Sequence, residues 1–340
     1  MRHNARIASG TRGVLGLLGW SVTAPAQAHV RWFTDPNAPE LASFPAYSWS
    51  DPEVLVWSAI ALVLIVASVL LDSRLPSPPI VRSKIRHDAI ELLRICTGMS
   101  FVLTAYGGEL LAPHLSAYGG FGAFLLFLQA FIGILLISNN LMYHAALLTG
   151  LLYLGAVVQF GLVPALEYIS VLGIAVFLFC NHAPEPALRD RLKPYSVAIL
   201  RIFTGLAFIA LGINEKLIGF ALGQSFMGQY PWNFMPAVGF SWFDDQLFVL
   251  SAGVIEVVFG VILVLGTTTR VNVLVLSLVM LTSNIVFLLQ REQENALIEL
   301  VGHMPIMATA VILLLLGYGQ RLKFRLPGRR PGAVSTAVAA

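Results

Sequence analysis

Leu200–Leu217, LRIFTGLAFIALGINEKL, has a gapless partner 107 positions earlier in Leu93–Leu110, LRICTGMSFVLTAYGGEL. The two share Leu, Arg, Ile, Thr, Gly, Phe and Leu in register. An internal repeat of this kind sets the architecture before any single residue is read. Each copy opens an apolar segment with an arginine inside it (Arg94, Arg201), and a charge in such a segment needs a physical reason.

The rest of the chain makes that segment a membrane helix. Of 340 residues 57% are hydrophobic and 11% charged, against about a quarter charged in a soluble domain. The mean hydropathy is +0.79. The surface must therefore face lipid over much of its area. Two cysteines, Cys96 and Cys180, are too few for a disulfide framework and too distant for a redox pair. Nucleotide-binding, serine-hydrolase and zinc-protease motifs are missing, and no basic, aromatic face suits nucleic acid.

Residues 1–28 have the order of a secretory signal: Arg2, Arg6 and Arg12, the apolar run VLGLLGWSV, then Ala26-Gln27-Ala28. Cleavage would leave His29 first; an uncleaved anchor is the alternative. Residues 29–52, with Trp32, Phe33, Phe44, Tyr47 and Trp49, suit a segment at the membrane interface. Apolar runs of bilayer length follow near 53–71, 89–111, 120–137, 141–160, 164–181, 195–213, 246–266, 271–290 and 296–317. The expectation is an all-α polytopic membrane protein of about nine spans. A first helix and basic loop (53–88) precede two tandem parallel four-helix bundles (89–181 and 195–317), and a basic tail (318–340) follows.

Charge placement orients it. With residue 29 outside, the inner segments hold Arg74, Arg82, Lys84, Arg86, Arg189, Arg191, Lys193, Arg270, Arg321, Lys323, Arg325, Arg329 and Arg330. The outer segments hold only Arg31, Lys216 and Arg291. This asymmetry predicts a bacterial inner membrane, a periplasmic mature N-terminus and a cytoplasmic C-terminus. An even number of spans per unit makes the repeats parallel.

Ionisable groups inside spans mark candidate sites. Glu256 lies ten residues into its span, about 15 Å from that end at 1.5 Å per residue, and Gln129 matches it in the first unit. Glu299 and His303 share a helix face, with Pro305 just beyond. Glu167 matches Glu299, whereas Val171 stands opposite His303. Asn214, Glu215 and Lys216 close the opening stretch. Arg94 and Arg201 fit either snorkelling at the inner interface or an interior ion pair. A freed His29 amino group, its imidazole and a second histidine such as His114 would make a three-nitrogen set suited to copper. The aromatic excursion 218–245 reads as an interfacial cap.

The second unit resembles the DoxX/DoxD family of small membrane proteins. The resemblance rests on Leu200–Leu217, on Glu256-Val-Val-Phe-Gly260 running to Leu265-Gly266-Thr-Thr-Thr-Arg270, and on Glu299 to Pro305. It covers residues 195–317; the first unit is similar more weakly, and residues 1–88 fall outside. It implies a four-helix membrane fold, and some members of the family are subunits of a thiosulfate:quinone oxidoreductase. No thiosulfate site is legible in this chain. The family-like polar set is Arg201, Lys216, Glu256, Arg270 and Glu299.

The leading expectation is a membrane subunit of a redox system that binds quinone or another small redox ligand. Glu256, Glu299 and His303 would relay protons, and Arg201, Asn214, Glu215, Lys216 and Arg270 would hold the ligand. A periplasmic or membrane redox protein would be the partner. The alternatives are a copper or small-solute handling protein using His29 and His114, and a non-catalytic assembly scaffold.

Overall fold

In the computed structural model, the described residues are 29–35, 37–72, 74–75, 83–317 and 321–324. The expected signal, 1–28, and all of the expected basic tail but residues 321–324 lie outside them. The helices are α1 (Pro52–Asp72), α2 (Ser83–Tyr106), α3 (Gly119–Ser138), α4 (Met142–Phe160), α5 (Leu162–Leu166) and α6 (Ile169–His182). They continue as α7 (Pro186–Leu211), α8 (Phe220–Gln229), α9 (Asp245–Leu265), α10 (Thr269–Leu289) and α11 (Gln293–Leu316). A π-helical turn, Gly212–Leu217, extends α7. Among the described residues there is no strand, and eight helices are long and apolar enough to span a membrane.

The difference from nine lies at 164–181. Gly161, with φ +87°, and Pro164 interrupt the chain there, and Tyr168 leaves helical geometry. The apolar run therefore folds as the short α5 and the 14-residue α6. The break leaves Glu167 buried between them.

The two units are α2, α3, α4 and α6, and α7, α9, α10 and α11. Consecutive helices pack along each unit, as short connections require. The fourth helix of each unit then packs chiefly on the first helix of the other: α6 on α7, and α11 on α2. The eight helices thus close into an up-and-down ring with two equivalent seams. Helix α1 stands outside, against α9. Ser68 Oγ meets Thr267 Oγ1 at 2.9 Å, and Asp72 accepts from the Thr268 N–H at 2.8 Å and from Lys323 Nζ at 2.6 Å. Outward-facing Phe127 and Val158 are about three-quarters exposed, as lipid-facing side chains should be in an isolated chain.

The repeat is visible in contact chemistry. Gly98 of α2 meets Gly133 of α3, and Gly205 of α7 meets Gly260 of α9. A Cβ on any of the four would lie 2.6–2.7 Å from the opposing carbonyl oxygen. Small residues let membrane helices approach to backbone contact. The two arginines also share a place. Arg94 Nη1 donates to the carbonyls of Leu136 (2.5 Å) and Ile137 (2.7 Å) at the end of α3. Arg201, wholly buried, lies under the end of α9, where a Cβ on Gly266 would fall 1.6 Å from its Nη1. Its Nη2 donates to the Leu322 carbonyl at 2.7 Å. Both helices end in a left-handed residue, Asn139 or Gly266. Arg94 there meets helix-end carbonyls and the negative end of the helix dipole and pairs with Glu91, whereas Arg201 occupies the matching place without a hydrogen bond to α9, its Nε and Nη1 unpartnered.

At the opposite end, α8 and the following loop pack Phe220, Phe226, Trp232 and Phe243 into a buried aromatic cap. The segment expected at an interface, 29–52, begins inside the bundle. His29–Thr34 turns inward and Val30 and Thr34 are buried. The buried Val30 N–H is satisfied there by the Glu215 carboxylate.

Candidate functional site

The inner site begins where α7 becomes a π-turn. Such a turn widens the helix by one residue and commonly marks a functional position. Here Glu215 and Lys216, neighbours in sequence, are both buried. Gly212 permits the close approach to α9, since a Cβ there would lie 2.8 Å from the Gly253 carbonyl oxygen. Lys216 Nζ then reaches Glu256 Oε1 at 2.7 Å. The first unit fills the matching place without charge. Gln129 accepts from the Leu111 N–H at 2.8 Å and donates to Thr104 Oγ1 at 2.9 Å and to the Glu109 carbonyl at 3.0 Å.

The inward N-terminal segment supplies the second layer. Val30 N–H donates to Glu215 Oε2 at 3.1 Å, and His29 Nδ1 stands 3.7 Å from Glu215 Oε1. Arg31 Nη1 pairs with Glu167 Oε1 at 3.2 Å. Trp32 Nε1 donates to the Tyr168 hydroxyl at 3.2 Å. The Trp32 indole crosses α11 at Gly302, where a Cβ would fall 2.3 Å from its Cη2. The His29 ring is held between Trp32 (centroids 4.3 Å apart, planes within 10°) and Tyr168 (5.9 Å, 18°). It also lies 5.3 Å from the His303 ring.

Helix α11 supplies the third layer. Ser283 Oγ donates to Glu299 Oε1 at 2.5 Å, and His303 Nδ1 is 3.7 Å from the same oxygen. His303 joins His29, Glu167, Phe208, Glu256 and Met280 around a small cavity, with about 30 Å³ open to a water-sized sphere and Ile306 among its apolar walls. A second cavity, with about 20 Å³ open to a water-sized sphere, shares Phe208, Met280 and Ile306 and is otherwise mostly apolar, including Leu263, Val273 and Leu313. Several buried polar atoms around the first cavity lack a hydrogen-bond partner: the second oxygens of Glu256 and Glu299, and Nδ1 of His29 and of His303. Such atoms are costly in a low-dielectric interior unless a ligand or proton completes them. Four buried carboxylates (Glu167, Glu215, Glu256, Glu299) face two permanent cations, Arg31 and Lys216.

Of the residues singled out from sequence, His29, Glu215, Lys216, Glu256, Glu299 and His303 converge here. Arg201 and Arg270 do not. Glu215 is 14 positions beyond Arg201, about 21 Å along a helix. Arg270 donates from Nε and Nη2 to the carbonyls of Leu314 (2.8 Å) and Leu315 (3.1 Å), capping α11. Asn214 donates to the Val163 carbonyl at 3.4 Å and stands beside Glu167 at the edge of the site. His114 lies beyond Tyr168, its Nδ1 3.3 Å from the hydroxyl, and is not brought to His29. Among the described residues no three His, Cys, Asp or Glu side chains are grouped to hold a metal ion. Arg31 and Trp32 enter the site without a sequence pattern to announce them, and Tyr168 carries none at all.

His114 offers a direct check of this geometry. Burial pushes its pKa down to about 4, because the charged imidazolium is disfavoured away from water. Its ring resonances in a histidine-labelled NMR spectrum should stay those of neutral imidazole as pH falls from 7 to 5. Titration near the ordinary value of about 6.5 would mean that the ring is solvated and not packed behind Tyr168.

Residues 196–288 match the family model described as DoxX. The matched stretch runs from α7 through most of α10. It contains Arg201, Glu215, Lys216, Glu256 and Arg270, and stops before Glu299 and His303. No curated protein and no solved structure matches the chain.

Proposed function

We propose that this membrane protein, which carries a DoxX domain over residues 196–288, is the membrane subunit of a redox system and binds a quinone in the chamber beside Glu256, Glu299 and His303. One observation carries the reading: a polar chamber adjoins an apolar cavity across the shared walls of Phe208, Met280 and Ile306. A quinone has a polar ring and an apolar tail, and ligand sites pair mostly apolar walls with a few convergent polar groups. The unpartnered second oxygens of Glu256 and Glu299 suit ring oxygens that exchange protons. Oxidation of a quinol releases two electrons and two protons. Carboxylates would take the protons, and a redox protein outside the chain would take the electrons. Lys216 compensates Glu256 and leaves Glu299 as the better proton acceptor. The charge asymmetry supports a bacterial inner membrane with this chamber toward the periplasm.

Trp32 beside the chamber gives a readout. A short-tailed quinone added to the purified protein in detergent should quench tryptophan fluorescence saturably. Glu299→Gln should weaken that binding by about tenfold or more, the cost of a hydrogen bond to a charged group. Quenching that never saturates, or that is the same in the variant, would remove the quinone reading.

A further inference from the structure

We propose that maturation turns the His29–His303 contact into a copper site whose ligands are the α-amino nitrogen of His29, His29 Nδ1 and His303 Nδ1. The inference goes beyond the quinone reading and does not rest on it. It rests on cleavage after Ala28 and on the geometry around His29.

Three observations converge. First, Nδ1 of His29 and Nδ1 of His303 are both buried and without a hydrogen-bond partner, and both residues line one cavity. Secondly, the rings stand 5.3 Å apart between centroids and are tilted by 36°. An imidazole nitrogen lies about 2.0–2.1 Å from a bound metal, so two ring nitrogens on one ion come within roughly twice that distance, which rings 5.3 Å apart between centroids allow. Thirdly, the chamber holds more carboxylates than cations, and a further positive charge is what its electrostatics lack. The side chains alone bring only two nitrogens to the cavity, and among the described residues no three His, Cys, Asp or Glu are grouped to hold a metal ion. The third donor appears only when the chain begins at His29. Its amino group and its own Nδ1 then form a chelate, and His303 completes it.

Imidazole and amine nitrogens favour copper(II), the tightest of the divalent first-row ions at a nitrogen site. The ring of His29 is already oriented by Trp32 and Tyr168, and Glu215 anchors the adjacent Val30 N–H. The ion would take the place of the carboxylate oxygens that now stand 3.7 Å from each Nδ1. This assigns His303, not His114, as the partner of His29.

The test is copper(II) titration of full-length mature protein in detergent, with N-terminal sequencing to verify that it starts at His29. One ion per chain is expected, with a paramagnetic resonance spectrum showing nitrogen couplings. His303→Gln should lower affinity by more than the roughly 10–100-fold that outer-shell partners cost. Retaining a single extra alanine before His29 should do the same without touching the fold, which guards against a misfolded His303 variant. His114→Gln should leave binding unchanged. No stoichiometric copper, or copper binding indifferent to both His303→Gln and the added alanine, overturns the site.

Discussion

Replacing Lys216 by Met should cost about 3–5 kcal/mol of stability, the cost of breaking one side of a buried ion pair. The Glu256 carboxylate is wholly buried, and Lys216 Nζ at 2.7 Å is its counter-charge. Removing the ammonium leaves a carboxyl that must take up a proton or carry an uncompensated charge. Glu256→Gln in the same chain should recover most of the loss. The first unit already uses glutamine at the matching position and satisfies it with neutral partners. Thermal unfolding of the two single variants and the double variant in detergent gives the coupling energy, expected at the upper end of the roughly 0.5–3 kcal/mol range. Additive losses would show that Lys216 and Glu256 do not form the pair. A Lys216→Met loss no larger than the ±0.5 kcal/mol of a surface substitution would show that neither is buried.

The same pair shows what sequence could and could not reveal. The alignment of Gln129 with Glu256 was legible because Gly133 and Gly260 follow at the same spacing. It identified a place where one unit is neutral and the other charged. The partner of Glu256 was not legible, because the π-turn changes which residues of Glu215-Lys216 face inward. That turn depends on Gly212 meeting Gly253 across the helix interface. The arginines were legible as a repeated feature, yet their role needed the ends of α3 and α9 brought to them. The family-like set of five residues therefore divides by position. Arg270 caps the end of α11 and Arg201 lies under the end of α9, while Glu256 lines the chamber with Lys216 as its ion-pair partner and Glu299 lies beside His303. The least legible part is the segment His29–Trp32. Its aromatic residues read as interfacial, and only folding shows that Arg31 finds Glu167 and that Trp32 lies over Gly302. Long-range pairs of this kind have no local period from which they can be read.

The glycine seams make the second large prediction. Gly260→Val should place its first branched carbon where the Gly205 carbonyl already lies, since even a Cβ would stand 2.6 Å from that oxygen. The opposing atom is backbone, so no rotamer change can relieve it, and α7 and α9 must separate. Overpacking of a tight core costs about 1–3 kcal/mol and sometimes more. Loss of the adjacent Lys216–Glu256 geometry should carry this case to the upper end. The first unit has the same contact between Gly98 and Gly133, with a Cβ at 2.7 Å from the opposing oxygen. Gly133→Val should then give a comparable fall in unfolding temperature, although the charged chamber is built mainly on the second unit. Gly228→Ala, at a site with no atom within 4 Å of the added carbon, should be neutral or stabilise its helix by up to about 1 kcal/mol. Equal losses at 133 and 260 would mean that the two units share one packing rule and differ only in the chemistry placed on it. A large loss at 260 with none at 133 would instead mean that the close approach belongs to the charged site alone, and the two seams would not be equivalent.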